Sequence, residues 1–279
     1  MSALGELDNL RVVLVSARNP LNIGAAARAM SNFGFAHLRV VTPYEPAYRE
    51  ARSAVGAAPV LAKAEEFESV AEAVADCRLV VGTTAVGHRE LHHPLRRLED
   101  GAKIIRKMLA RGAAGAREAS RKKVARGKVV SNRVALLFGS EKFGLTNEDL
   151  SHCHWLLHVP TSAQNISMNL GQAVAVCLYE LIRGADGKAK GAPQFAARFA
   201  GRFEKASEKL PPATAGELER FTAVLTEALS ASGFLDLRKV ADADERVRRL
   251  VRRLNLPSRD ADMWTGIMRQ IVWKLGRKA

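Results

Sequence analysis

Three short stretches of this 279-residue chain set amide, carboxylate and guanidinium side chains among small residues that let backbone approach closely. Residues 19–34 (NPLNIGAAARAMSNFG) carry Asn22 and Arg28, and residues 136–145 (LLFGSEKFGL) hold Glu141 between Gly139 and Gly144. Residues 159–174 (VPTSAQNISMNLGQAV) run a loop of Thr, Ser, Gln and Asn into Ser167 and Asn169. A guanidinium stays protonated at any ordinary pH and can hold a phosphate or a developing oxyanion. Carboxylate and amide groups can orient it, and the same groups also cap helices and close turns. Both readings stand side by side here. Asn22 and Ser167 occupy positions where helix N-caps are expected, and Arg28 could serve as a plain surface residue. Gly139 removes a side chain either where backbone meets a ligand or where the chain simply turns. Asn169, a middling helix former, has an amide free to orient Arg28 or the loop. Neither glycine-rich nucleotide fingerprint is present, so a nucleotide-like ligand would be held by another loop arrangement.

The elements that must position these residues follow from periodicity. Short β-branched or apolar runs at residues 11–16, 37–42, 78–83, 133–138 and 155–159 predict strands. Helical patterns over residues 22–33, 65–75, 98–110 and 168–183 alternate with them, which implies a mostly parallel sheet covered on both faces. In the first helix Ile23, Ala27 and Met30 share a face and Gly34 marks the stop; Arg28 falls about 140° around from Ile23, away from the core. Each of the three stretches therefore stands beside a strand-to-helix junction, the edge at which open α/β sheets take their ligands.

Beyond residue 183 the character changes. Residues 184–212 are rich in Gly, Ala, Lys and Arg and read as a basic linker, with Phe195, Phe199 and Phe203 at four-residue spacing. Residues 213–279 read as a small helical domain, its first helix carrying Leu218, Phe221, Leu225 and Leu229 and ending at Gly233. The formal net charge is +14, which favours a polyanionic partner. A basic run over residues 101–128 is a candidate for phosphate contacts, and the arginines 246, 248, 249, 252 and 253 add to the positive charge of the helical domain. No stretch has the length of a membrane span, and residues 1–20 lack the pattern of a signal peptide, so no membrane partner is expected. Cys77, Cys153 and Cys177 lack metal-ligand spacing and suit a reducing cytoplasm. The histidines 88, 92, 93, 152 and 154 also fall short of a ligand set, and no metal is expected.

The three stretches, in this order and at these separations, closely resemble the motifs of the SPOUT class, specifically the SpoU/TrmH group of RNA 2′-O-methyltransferases. The resemblance covers residues 1–183. Cys153-His-Trp after Glu148-Asp-Leu, Leu218-Glu-Arg-Phe, Ala231-Ser-Gly-Phe-Leu and Arg248-Arg-Leu-Val-Arg-Arg-Leu are similar to the TrmJ branch of that group. This resemblance implies an α/β domain whose parallel sheet ends in a C-terminal trefoil knot. It implies S-adenosyl-L-methionine as cofactor, a homodimer that completes the site, and transfer RNA as substrate. The ribose of nucleotide 32 in the anticodon loop, on cytidine or uridine, is the implied target. Another transfer RNA position, ribosomal RNA, and a non-catalytic RNA-binding role are the alternatives. Carried over by motif, Thr83, Thr84, Ala85, Gly139, Val159, Ile166, Ser167 and Met168 would hold the cofactor. Arg28, Asn22, Glu141, Ser167 and Asn169 would form the catalytic group, with Asn22 and Glu141 orienting Arg28. The basic run over 101–128 looks longer than in relatives.

Overall fold

A computed structural model describes residues 7–43, 58–85, 92–121, 132–162, 164–183, 211–235 and 242–276. The expectations for residues 184–210, including the phenylalanine stripe, and for residues 122–128 of the basic run lie outside these.

The sheet is built from β1 (Leu10–Val15), β2 (Leu38–Val41), β3 (Glu65–Phe67), β4 (Leu79–Thr83), β5 (Leu95–Arg97), β6 (Val134–Phe138) and β7 (Trp155–His158). Its seven strands lie in the order β3-β2-β1-β6-β4-β7-β5 and every pairing is parallel. The period of two sorts β1 between two cores. Leu10, Val12 and Leu14 face α1 (Pro20–Asn32), α2 (Ala58–Ala62), α4 (Leu98–Arg121) and α6 (Leu170–Arg183). Val13 and Val15 face α3 (Val70–Val74) and α5 (Asn147–Ser151). Such two-sided burial is why the central strands read as unbroken apolar runs.

Two expectations require correction. The helix predicted over residues 65–75 is in fact β3 followed by α3. Arg39–Val41 pairs in register with Glu65–Phe67, and Ser69 caps α3 by accepting the Glu72 N–H at 3.3 Å. The helix predicted to end at residue 110 continues to Arg121. β5, with three exposed residues after Pro94, has too little pattern to be foreseen.

Arg39 explains how so short a strand is held. Its buried guanidinium bonds Glu65 at 2.7 Å, Asp76 at 2.6 Å and the Ala73 carbonyl at 2.7 Å, and it lies 5.4 Å from the Phe67 ring centroid. Burial opposes ionisation of Asp76, but Arg39 and Arg133 outweigh it and hold the carboxyl well below the usual carboxylate range. A carboxyl lowered on folding adds stability above its unfolded pKa of about 3.9 and loses it as pH falls. Asp76→Ala should therefore cost about 2 kcal/mol at neutral pH, less than a fully buried pair because Asp76 is partly solvated. The urea midpoint should drop, and the gap to wild type should close as the pH is lowered below 4. An unchanged midpoint at neutral pH would refute this account of β3.

The C-terminal helices α7 (Ala215–Ala231), α8 (Ala243–Arg253) and α9 (Ser258–Gly276) share a small core of Leu218, Phe221, Val247, Val251 and Ala261. They dock beside α3 and α5 through backbone bonds from Ala215 N–H to Cys77 O (2.7 Å) and from Gly216 N–H to Ala75 O (2.8 Å). Arg248 and Arg252 both bond Glu219, and Arg248 also donates to the Ser151 hydroxyl at 3.0 Å. These two arginines, with Arg249 paired to Glu245, are thus structural and not free for phosphate. Among the described residues no helix is long and apolar enough to cross a membrane.

Candidate active site

The strands β6, β4 and β7 are neighbours in the sheet, so the loops leaving their carboxyl ends are neighbours too. Residues 83–85 and 139–145, with Val159, Thr161, Ile166, Ser167 and Met168, enclose a cleft of about 480 Å³, within the usual range for a small-molecule site. Thr83, Thr84, Ala85, Gly139, Val159, Ile166, Ser167 and Met168 all line it. Hydrogen bonds stitch the walls together. The Thr84 N–H donates to Leu157 O at 3.0 Å, the Thr83 hydroxyl to Leu137 O at 2.8 Å, and the Thr161 hydroxyl to Ile166 O at 3.1 Å.

Beside this cleft, α1 and α6 are tied to the 139–145 loop by a directional chain of side-chain bonds. Glu141 accepts from the backbone N–H of Arg18 (3.2 Å) and of Asn19 (3.2 Å) and from Asn22 Nδ2 (3.1 Å). Asn22 Oδ1 accepts from Asn169 Nδ2 at 2.7 Å, and Asn169 Oδ1 accepts the Gln172 N–H at 3.3 Å. A carboxylate can only accept, so it turns the Asn22 amide nitrogen toward itself, and each later amide follows in the same sense. Burial pushes the Glu141 carboxyl up. Its own backbone N–H, Asn22 and the Arg18 and Asn19 N–H groups outweigh that and hold it below the usual glutamate range.

These contacts settle the capping alternatives. Asn19, not Asn22, caps α1 by accepting the Leu21 N–H at 2.9 Å, with Pro20 in the first turn. Asn22 is left free for Glu141. Asn169, not Ser167, caps α6 through Gln172, so its place at the helix start has an ordinary explanation. Within one copy of the chain, neither Glu141 nor Asn22 hydrogen-bonds Arg28. Arg28 is exposed, lies about 9 Å further along α1 than Asn22, and does not line the cleft. Among the described residues none forms a hydrogen bond or ion pair with its guanidinium.

Sequence reasoning missed Phe138, Lys142, Phe143 and Leu157 of the cleft wall, and the backbone N–H groups of Arg18 and Asn19. Phe143 is 65% exposed with Lys142 Nζ 5.0 Å from its ring centroid, and a large aromatic between two glycines was the available signal. Thr146 starts α5 with a reciprocal capping box to Asp149. His154 is turned inward, its Nδ1 accepting the Val80 N–H at 3.1 Å. Among the described residues no group of three His, Cys, Asp or Glu side chains is placed to hold a metal.

Residues 9–179 match the SpoU rRNA Methylase family, and the chain belongs to that family. Within it, the tRNA (cytidine/uridine/adenosine-2′-O-)-methyltransferase TrmJ of Pseudomonas aeruginosa is 34% identical over 263 residues, covering 94% of this chain and 93% of its own. The tRNA (cytidine/uridine-2′-O-)-methyltransferase TrmJ of Yersinia pestis is 31% identical over 267 residues, covering 95% and 92%. The crystal structure of TrmJ from Z. mobilis superposes with a TM-score of 0.70 at 28% identity, over 94% of this chain and 98% of that one.

Proposed function

We propose that this protein transfers a methyl group from S-adenosyl-L-methionine to a ribose 2′-hydroxyl of transfer RNA, at nucleotide 32 of the anticodon loop on cytidine or uridine. The observation that carries this reading is the single cleft formed by three loops, flanked by the Glu141–Asn22–Asn169 chain. The activities of the P. aeruginosa and Y. pestis relatives support the substrate. The donor set suits the cofactor: Leu157, Val159 and Ile166 offer apolar walls for a nucleoside, and residues 83–85, 139–144, 161 and 166–168 offer backbone polar groups around it. When bound, S-adenosyl-L-methionine supplies a methyl already activated as a sulfonium.

The protein's task is then alignment and proton management. Thr83, Thr84, Ala85, Gly139, Val159, Ile166, Ser167 and Met168 hold the donor in place. Glu141, Asn22 and Asn169 are positioning residues that lock the start of α1 to the cleft wall, and Ser167 shapes the hydroxyl side. Arg28 holds the adjacent phosphate or the developing alkoxide, while the hydroxyl proton leaves through phosphate or water. Because Arg28 stands off its own cleft, a second copy of the chain in a homodimer would present it. In this reading residues 1–183 form the methyl-transfer unit, folded with the family's trefoil knot. Residues 184–212 link it to the helical unit of residues 213–279, and the enzyme works in the cytoplasm.

The test is methyl transfer from labelled S-adenosyl-L-methionine to unmodified transfer RNA and to ribosomal RNA, with the modified riboses mapped. Label on the ribose of nucleotide 32 is the expected result. Label confined to ribosomal RNA or to another transfer RNA position would overturn the assignment of the target, and no transfer to any RNA would overturn the activity.

A further inference from the structure

The amino ends of the same strands carry a second concavity that the methyl-transfer reading does not use. It has a volume of about 710 Å³ and lies where Leu79 of β4, Trp155 of β7 and Arg96 of β5 meet α4 and the end of α8. Its opening is separated from the cleft by the length of β4, about 13 Å. Trp155 and Met108 contribute apolar surface. Arg96 from β5, Lys107 from α4 and Arg253 from α8 bring cations from three separate elements, and all three are exposed. Among the described residues no acidic side chain lines it, and none forms an ion pair with any of the three.

Two further features point to a ligand. The Arg96 guanidinium stands over the Trp155 ring, 5.6 Å from its centroid, so the cation is held against the apolar surface. Arg252, only 2% exposed, also lines the concavity; held by Ala215 O and Glu219, it adds positive charge behind the wall and makes no contact of its own. His154 lines it as well. Since Val80 N–H occupies its Nδ1, its remaining nitrogen, Nε2, carries the proton and can donate.

An apolar floor beneath a rim of unpaired cations, with a buried donor behind, matches a ribose-phosphate chain, which alternates anionic groups with sugar and base faces. We infer that this groove is a second RNA-backbone site, holding phosphodiester groups of the substrate on Arg96, Lys107 and Arg253 while the other end of the sheet carries out chemistry. It rests on the reading of the protein as an RNA methyltransferase, and assigns part of the affinity to residues remote from the reaction.

The test uses the full chain with Arg96→Glu, Lys107→Glu and Arg253→Glu, singly and together. Affinity for unmodified transfer RNA is measured across a salt series, alongside S-adenosyl-L-methionine affinity, thermal melting and turnover at saturating RNA. Each reversal should weaken RNA binding by about tenfold near physiological salt and reduce the slope of log K against log salt by at least about 1. Turnover at saturating RNA, melting and cofactor affinity should stay within about twofold of wild type, because the groove does not touch the cleft. Wild-type affinity and salt slope retained in the triple variant would overturn the groove as an RNA site. A wild-type protein that neither binds nor methylates transfer RNA would instead overturn the reading beneath it.

Discussion

Replacing Arg28 with alanine is expected to lower methyl transfer about a thousandfold, the loss typical of removing one preorganised charge-stabilising donor. Affinity for S-adenosyl-L-methionine should stay within about twofold. The separation follows from position. Arg28 lies on the exposed face of α1, outside the cleft and without a described partner, so its removal leaves the donor site intact. The same position predicts who uses it. If a partner subunit's cleft receives each Arg28, mixing Arg28→Ala with a cleft variant such as Met168→Arg will recreate one intact composite site per mixed dimer. Equal mixing should then return about a quarter of wild-type activity, since half the dimers are mixed and each has one working site of two. Arg28→Ala turnover above about a tenth of wild type would remove Arg28 from the chemistry. A dead mixture of two dead variants would place Arg28 in its own subunit's site.

How far these features are legible in the sequence differs from residue to residue. The β-branched runs around Val12, Val80 and Leu136 announce buried parallel strands because both faces are covered. The motif resemblance marks the cleft wall, since its residues sit in continuous stretches at strand ends. What could not be read is pairwise and distant. Glu141 meets Asn22 across more than a hundred positions, and nothing local distinguishes a carboxylate that holds backbone N–H groups from one that holds a guanidinium. Arg248 and Arg252 stand in a basic run, and nothing local announces that Glu219 turns them inward. The short strands β3 and β5 carry no period of their own, because their partners define them. The groove of Arg96, Lys107 and Arg253 gathers residues from three elements that have no common motif.

Gly139→Ala should be the most damaging added methyl group among the described glycines, and of the two reasons the sequence offers, the turn of the chain is the one that applies. A Cβ at this position would stand 2.1 Å from Gly144 C, 2.2 Å from Leu145 N and 2.4 Å from Gly144 O. The obstacle is the loop's own returning backbone, not a ligand, and backbone cannot rotate aside as a side chain can. The loop closes by a Gly144 N–H to Ser140 O bond of 2.8 Å, so opening it displaces Glu141. Arg18 N–H, Asn19 N–H and Asn22 then lose their acceptor, and the wall between β6 and β7 loses its shape. Affinity for S-adenosyl-L-methionine should fall by at least about a hundredfold, or about 2.7 kcal/mol, with stability lowered by about 1–3 kcal/mol. Gly144 provides the control within the same loop. It adopts φ +67° with open space where its Cβ would lie, so it needs only the left-handed conformation. Asparagine tolerates that region better than other side chains. Gly144→Asn should therefore keep cofactor affinity within about threefold and cost about 1 kcal/mol in stability. Calorimetric titration of both variants separates the two demands. If Gly139→Ala binds the cofactor as tightly as Gly144→Asn, the closed loop is not what shapes the cleft.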